Sequence, residues 1–423
     1  MYKKRRLDNG LRVIIHRMPR MQSVALGIWI KVGGRYEGAR IKGIAHYLEH
    51  LLFKGSRRYS CRKIKESIEG VGGYLNGFTS EEFTCYLAKL PHQHLFRALD
   101  VLSDMVLEPL LLESEIEKER TVILEEIKMH RDLPQSYVYE LLDELLWPNH
   151  PLGQSVTGTK ESVSNIKRKD LLQFKRRYYT CTNMVIAASG LLDENEFFKR
   201  IEEKFSPLDA GSLSRFQAAQ ENQSHPKLKI FSKETEQTHL ALGFRALRRD
   251  HPLRHALGLL HIILGGNMSS RLFNAVREKR GLAYEIGTQI KYFQDTGVFL
   301  VHAGIDNRRV EETIKLILEE LHRCKTKLVS ADEFRRAKDF YLGQLMLALE
   351  DTLDHMLWIG EYTAALDKTY SLEEIIKELE AVKFSDLQEL AYQIFKEENL
   401  NLALIGPLPE EKKNSLSGLL RLK

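Results

Sequence analysis

Strands and helices alternate along the chain in a regular pattern. Apolar and β-branched residues cluster at 12–15, 24–30, 83–87 and 184–188, and these runs predict β-strands. Helices are expected to dominate from about His92 to Leu146. Because strands and long helices are mixed in each half, the pattern predicts an α+β fold in which a mostly antiparallel sheet is covered by helices.

The two halves of the chain resemble each other at a constant offset. Ala25-Leu26-Gly27 and Ala241-Leu242-Gly243 are identical and lie 216 residues apart (241 − 25). Further identical pairs at this offset are Asp170 and Asp386, Leu171 and Leu387, Asn183 and Asn399, Ala187 and Ala403, Gly190 and Gly406, and Leu192 and Leu408. A constant offset at both ends of each half indicates a tandem duplication.

The duplication predicts two homologous domains, residues 1–206 and 228–423. The residues between them, 207–227, are rich in Ser, Gln, Asn and Gly, which is typical of an exposed linker. A linker of this length would allow the two domains to hinge.

The pentapeptide His46-Tyr47-Leu48-Glu49-His50 carries the candidate chemistry. Two histidines four residues apart lie on one face of a helix and can bind one zinc ion, and the glutamate can act as a base for a metal-bound water. The surrounding apolar residues predict that this helix is buried: Ile44, Ala45, Leu48, Leu51 and Leu52. Polar groups are costly there unless they are satisfied. Zinc would satisfy them, although the pentapeptide alone also fits two ordinary hydrogen-bonded histidines.

A catalytic zinc usually has three protein ligands and a water, so a third ligand is expected elsewhere. Residues 113–129 predict an acidic amphipathic helix whose apolar positions are Ile116, Val122, Ile123 and Ile127. Glu119 and Glu126 are seven residues apart on one stripe of this helix, so one could bind the metal while the other holds a histidine. The pattern does not separate Glu126 from Glu125, and a solvated acidic face is the simpler interpretation.

The spacing of these residues resembles that of the pitrilysin/insulinase family of zinc peptidases, the inverzincins. The H-x-x-E-H motif is followed 76 residues after His50 (126 − 50) by the second glutamate of an E-x6-E pair. The likeness is strongest to the branch that contains the mitochondrial processing peptidase and its bacterial relatives. Other segments similar to the family are 7–13, 72–79, 150–153 and 157–159.

The resemblance implies the LuxS/MPP-like metallohydrolase fold and one zinc ion per chain. It assigns the metal to His46, His50 and Glu126, general-base catalysis to Glu49, and support of a ligand to Glu119. It also implies that an extended peptide lies along a strand beside the site, as an added β-strand. The residues of that strand that would bind substrate are Asn76, Gly77, Phe78 and Thr79.

The second copy has lost the metal ligands. At the repeat offset, the positions of the two histidines and the general base are occupied by Ile262, Gly265 and Gly266. The resemblance implies that Arg277 and Tyr284 reach the active site from this domain. Tyr284 would donate to the scissile carbonyl or its oxyanion, and Arg277 would bind substrate or orient Tyr284. From the residues alone, a basic turn after an amphipathic helix is the simpler interpretation.

Composition changes this picture little. A chain of 423 residues with 43% hydrophobic residues is sufficient for two or three domains with buried cores. The net charge of +5 is small for this length, so nucleic acid is not an expected partner. No secretory signal or membrane span is expected. The four cysteines are scattered without a C-x-x-C motif, which suggests the reducing cytoplasm.

The expected function is that of a zinc metalloendopeptidase acting on short or unfolded peptides. A non-catalytic scaffold subunit of the same fold and a zinc hydrolase of a non-peptide substrate are the alternatives. One chain holds two of the four domains that enclose the site in the family. The resemblance therefore implies a clam-like homodimer, or a heterodimer with a non-catalytic homologue.

Overall fold

Two β-sheets, one in each of two units, form the framework of the protein. The computed structural model describes residues 2–409 and 411–422. Unit 1 consists of Met1–Lys128, Ser155–Gln217 and Met346–Ser371. Unit 2 consists of Met129–Gln154, Ala218–Leu345 and Leu372–Lys423. Each sheet is covered by helices, which confirms the α+β prediction. No helix in the described part of the chain is both long enough and apolar enough to cross a membrane.

The sheet of unit 1 has six strands in the order β1-β2-β6-β3-β5-β4. Neighbouring strands are antiparallel except β2 and β6, which are parallel. The strands are β1 (Tyr2–Arg6), β2 (Arg12–Arg17), β3 (Ser23–Ile30), β4 (Tyr74–Thr79), β5 (Thr84–Pro91) and β6 (Met184–Gly190). β4 therefore forms one edge of the sheet, with one side of its backbone available to a further strand.

The sheet of unit 2 repeats this order without a counterpart of β1: β7-β11-β8-β10-β9. Its one parallel pair, β7 and β11, corresponds to β2 and β6. The strands are β7 (Lys227–Ser232), β8 (Gln237–Ala246), β9 (Ala283–Tyr292), β10 (Gly297–Asp306) and β11 (Asn401–Gly406). The shared order confirms that the two halves are homologous in fold.

The helices follow the same duplication. They are α1 (Ile44–Leu52), α2 (Cys61–Glu69), α3 (Leu95–Leu107), α4 (Glu113–Asp132), α5 (Pro134–Leu146), α6 (Lys160–Asn165), α7 (Arg168–Tyr178), α8 (Glu194–Phe205), α9 (Arg254–Gly265), α10 (Val310–Thr326), α11 (Ala331–Glu350), α12 (Thr352–Leu366), α13 (Leu372–Ala381), α14 (Phe384–Ile394) and α15 (Lys412–Leu419). Helices α7 and α14 begin and end at the repeat offset. Each starts with a reciprocal cap between a lysine and an aspartate, Lys167 with Asp170 and Lys383 with Asp386.

The strands of the first sheet are apolar on both faces because helices cover both. Alternate residues of β3, such as Leu26 and Ile28, enter the large core that contains α1, α3 and α7. Ala25 and Trp29 point the other way and pack against α12. Gly360 of α12 permits this close packing, since a Cβ there would lie 2.2 Å from Trp29 Nε1.

The two compact units are interleaved along the chain. Helix α5 belongs to the first half of the sequence but packs on β8 and β11 through Leu141 and Leu142. Helix α12 belongs to the second half but packs on β2, β3 and β6. The units thus differ from the contiguous ranges 1–206 and 228–423, because each sheet is covered by a helix from the other half of the sequence.

The residues predicted as an exposed linker are partly ordered against unit 1. The backbone N–H groups of Cys181 and Thr182 donate to the carbonyls of Asp209 and Ala210 at 3.1 and 3.0 Å. Ser214 donates through its backbone N–H to the side chain of Asn183 at 2.8 Å. Residues 209–217 therefore form part of unit 1, and Lys227 already belongs to strand β7.

Candidate metal centre

Helix α1 presents His46 and His50 on one face. Its apolar side is buried as predicted: Ile44, Ala45, Leu48, Leu51 and Leu52 are at most 1% exposed. The two imidazole rings lie together, with their centroids 4.5 Å apart. The hydroxyl of the buried Tyr47 donates to the carbonyl of Ile116, which ties α1 to α4.

Helix α4 supplies the acidic side chains that face α1. Ile116, Ile123 and Ile127 are buried as predicted, but the prediction for Val122 was wrong, since this residue is 49% exposed. Val122 lies one residue before Ile123 and therefore about 100° around the helix from the buried stripe. The stripe that faces α1 instead includes the buried carboxylate of Glu119.

The structure brings His46, His50 and Glu126 together. Oε2 of Glu126 lies 3.6 Å from Nε2 of His46 and 3.7 Å from Nε2 of His50. Within residues 2–409 and 411–422, this is the one group of three such side chains whose donor atoms are close enough to share a metal ion. Glu125 points away from it and forms an ion pair with Lys128 at 2.6 Å.

The donor set fits zinc. Two imidazole nitrogens and one carboxylate oxygen form a common ligand set of catalytic zinc sites. Bonds of about 2.0–2.2 Å place tetrahedral ligands about 3.3–3.6 Å apart. The observed separations of 3.6 and 3.7 Å need only a small contraction to reach this range.

Glu119 orients His50. Its Oε2 lies 3.1 Å from Nδ1 of His50, and its Oε1 accepts from Nζ of Lys54 at 2.6 Å. With Nδ1 donating to this carboxylate, Nε2 is left as the nitrogen that faces Glu126. The sequence indicated Glu119, but it gave no sign of Lys54, which lies just beyond the end of α1.

Glu49 occupies a buried position between α1 and β4. Its Oε2 accepts a hydrogen bond from the Thr79 hydroxyl at 2.9 Å. Burial raises the pKa of Glu49, Glu126 raises it further, and the Thr79 hydroxyl and His50 oppose the change. A carboxylate with a raised pKa holds a proton more readily than an exposed one, which suits a group that accepts a proton and passes it on.

Strand β4 passes directly beside this carboxylate. A Cβ on Gly77 would lie 3.0 Å from Cε2 of Phe53 and 3.2 Å from Oε1 of Glu49, so the strand can approach α1 this closely only with glycine there. Asn76 is exposed, and its Oδ1 accepts from the backbone N–H of Gly77 at 2.9 Å. Phe78 points to the opposite face, where it contacts Trp29. Of the four predicted substrate residues, Gly77 and Thr79 thus lie against Glu49.

Arg277 and Tyr284 lie together in unit 2. Arg277 belongs to a π-helical turn, Phe273–Glu278, that the sequence did not predict. Its guanidinium carbon is 4.8 Å from the centroid of the Phe273 ring and 5.1 Å from that of Tyr284. The Tyr284 side chain, at the start of β9, is 75% exposed. Both residues line an open pocket with the backbone turn at Gly281.

Helix α9 occupies the place of α1 in unit 2, and glycine replaces the general base. A Cβ on Gly265 would lie 2.6 Å from the backbone nitrogen of Thr288 in β9. The helix therefore packs directly on the strand, in the space that a glutamate side chain would need. Loss of the metal ligands and closure of the site are thus two aspects of the same substitution.

Comparison with known proteins agrees with this geometry. The family Insulinase (Peptidase family M16) matches residues 12–160, and the family Peptidase M16 inactive domain matches residues 165–341. The chain is 38% identical over 407 residues to a Bacillus subtilis protein named "Uncharacterized zinc protease YmxG", covering 96% of this chain and 98% of that protein.

Solved structures share the fold. A protease from Helicobacter pylori superposes with a TM-score of 0.89 at 24% identity, covering 96% of this chain and 99% of that one. A chain of Complex III2 from Candida albicans superposes with a TM-score of 0.85 at 19% identity, covering 99% of both chains. Sequence identity over nearly the whole length therefore shows that the chain belongs to the insulinase (M16) family of peptidases, as a zinc-dependent protease.

Proposed function

We propose that the protein is a metalloendopeptidase that cleaves short or unfolded peptides, in the manner of a processing peptidase. The observation that carries this proposal is the convergence of two imidazole nitrogens on Oε2 of Glu126, with the buried carboxylate of Glu49 on the same helix as both histidines. His46, His50 and Glu126 would hold the zinc ion. When bound there, zinc supplies Lewis-acid activation of water and of the scissile carbonyl.

Glu49 carries the proton in this mechanism. Its Oε2 is held by Thr79, which leaves Oε1 to accept a proton from the attacking water and deliver it to the leaving amine. Glu119 keeps Nδ1 of His50 protonated and its ring fixed, so the ligand does not have to reorganise during the reaction.

The peptide would add to the outer edge of β4. Backbone pairing along Asn76–Thr79 brings a scissile bond past Glu49 at Gly77, where the strand approaches α1 most closely. Because Phe78 points away, recognition relies on the main chain of the strand, and selection of substrate side chains is loose.

Arg277 and Tyr284 would complete the site from the second half of the chain. The exposed hydroxyl of Tyr284 is available to donate to the oxyanion, and the adjacent guanidinium of Arg277 orients its ring. The proposal includes a functional division between residues 1–206 and 228–423 across 207–227. It also includes pairing of two chains into a clam-like dimer, either a homodimer or a heterodimer with a non-catalytic homologue, in the cytoplasm.

The alternative is a scaffold subunit without catalysis. The fold is shared with a chain of a respiratory complex, so fold alone does not decide between the two. The presence of the three metal-binding side chains together with Glu49 favours the enzyme.

A library of quenched fluorescent peptides tests the proposal. The zinc-loaded protein is expected to cleave unstructured peptides, and Glu49→Gln is expected to abolish cleavage while zinc stays bound. Glu125→Gln, on the exposed side of α4, serves as the matched control and keeps full activity. A zinc-loaded protein that cleaves no peptide, or a fully active Glu49→Gln variant, would reject the endopeptidase assignment.

A further inference from the structure

The start of helix α1 is held by a buried carboxylate from outside the helix. Glu37 lies six residues before Gly43, and its side chain is inaccessible to solvent. Its Oε2 accepts from the backbone N–H of Gly43 at 2.8 Å, and its Oε1 accepts from that of Ala45 at 2.7 Å. Both carboxylate oxygens are therefore used on the first turn of the helix that carries the two histidines.

This helix has no cap of its own. The residue at its N-terminus is Gly43, which has no side chain to accept the first N–H groups. Gly43 adopts φ of +90°, in the left-handed region, and a Cβ there would lie 2.5 Å from the carbonyl oxygen of Thr157. Glycine is thus required at the turn, so the capping group has to come from elsewhere in the fold.

The cap carries charge as well as hydrogen bonds. Nζ of Lys42 lies 3.6 Å from Oε2 of Glu37 and donates to the carbonyl of Gly34 at 2.6 Å. Burial raises the pKa of Glu37 to about 6, and Lys42 and the two backbone N–H groups oppose this rise. A negative charge at the start of a helix also interacts favourably with the helix dipole.

We propose that Glu37 is a positioning residue for the metal centre, which fixes the rotation and axial position of α1 so that His46 faces Glu126. Ala45, which donates to Glu37, directly precedes His46 in the chain. Glu126 is fixed separately by the packing of α4. A small rotation of α1 would therefore displace the Nε2 atoms from Oε2 of Glu126 without disturbing the rest of unit 1.

This inference rests on the proposed metal centre but not on peptide cleavage, so its test measures metal binding. Zinc affinity is determined by competition with a chelator at pH 8, where Glu37 is ionised. Glu37→Ala is expected to weaken zinc binding about 10-fold or more, within the range known for groups that support metal ligands. Glu37→Gln keeps one accepting oxygen and is expected to lie between Glu37→Ala and the unchanged protein.

Asp170→Asn is the matched control. Asp170 is also buried, accepts a backbone N–H from Lys167 at 2.9 Å and pairs with Arg40 at 2.7 Å, but none of these partners is on α1. Its loss is expected to lower the unfolding midpoint while zinc affinity is unchanged. The visible absorption of bound Co²⁺ gives a second readout, which is expected to change in both Glu37 variants and not in the control.

Equal zinc affinity in Glu37→Gln and the unchanged protein, with an unaltered Co²⁺ spectrum, would overturn the proposal. So would a loss of affinity in Asp170→Asn as large as that in Glu37→Ala, since it would reflect general destabilisation. If Glu37→Ala does not fold, Glu37→Gln alone carries the comparison. A protein that binds zinc tightly and cleaves no peptide would reject the proposed function and leave the role of Glu37 intact.

Discussion

At the scale of single residues, the metal-binding trio is recognisable from sequence only in part. The spacing of His46 and His50 is sufficient to place both on one face of a helix. The third ligand is not determined in this way, because Glu125 and Glu126 are adjacent and both lie in an acidic helix. The distinction is made by packing: Glu126 faces α1, whereas Glu125 pairs with Lys128 in solvent.

The contact between Glu119 and His50 leads to a prediction at this scale. Glu119→Gln removes the charge that holds Nδ1 of His50, so zinc affinity is expected to fall about 10- to 100-fold. Glu117→Gln, on the same helix but exposed and paired with Arg120, is the control and is expected to bind zinc normally. Competition with a chelator measures both. Equal affinities for the two variants would show that Glu119 does not support the ligand.

At the scale of elements, the pattern of apolar residues predicts most strands and helices of the first half. It does not predict the π-helical turn at Phe273–Glu278, because no apolar period distinguishes such a turn from a helix. It also cannot show how close two elements lie. Gly77 and Gly265 appear in the sequence as ordinary glycines, yet each marks a place where a strand and a helix nearly touch.

The contact at Gly77 leads to a prediction at the scale of elements. Gly77→Ala would push β4 away from Phe53 and Glu49 by a few tenths of an ångström. Because a small misplacement near the reacting groups is costly, kcat/KM for peptide cleavage is expected to fall about 10-fold while zinc stays bound. Gly38→Ala, where a Cβ would meet no atom within 4 Å, is the matched control. Unchanged kinetics in Gly77→Ala would show that this approach does not matter for catalysis.

At the scale of the whole molecule, the duplication is visible in the sequence but the interleaving of the units is not. The patterns of α5 and α12 show that each helix buries an apolar face. They carry no information on which sheet receives that face, since both sheets present similar apolar surfaces. The sequence could therefore predict two homologous domains, but not that each includes a helix from the other half.

The interleaving predicts that the halves do not fold alone. Residues 1–217 lack α12, and residues 218–423 lack α5, so each separate fragment would expose the apolar face that the missing helix covers. Each fragment is expected to aggregate or unfold without a cooperative transition, whereas co-expression restores a folded complex. Thermal unfolding followed by circular dichroism checks this, with the intact chain as the control. Cooperative unfolding of either fragment with the stability of the intact chain would contradict the account.

The central claim is that His46, His50 and Glu126 hold one zinc ion per chain, and native mass spectrometry tests it most directly. The unchanged protein is expected to carry one zinc per chain. Glu126→Gln is expected to lose it, and Glu125→Gln to retain it. A protein without zinc after loading, or equal occupancy in the two variants, would contradict the assignment of the metal centre.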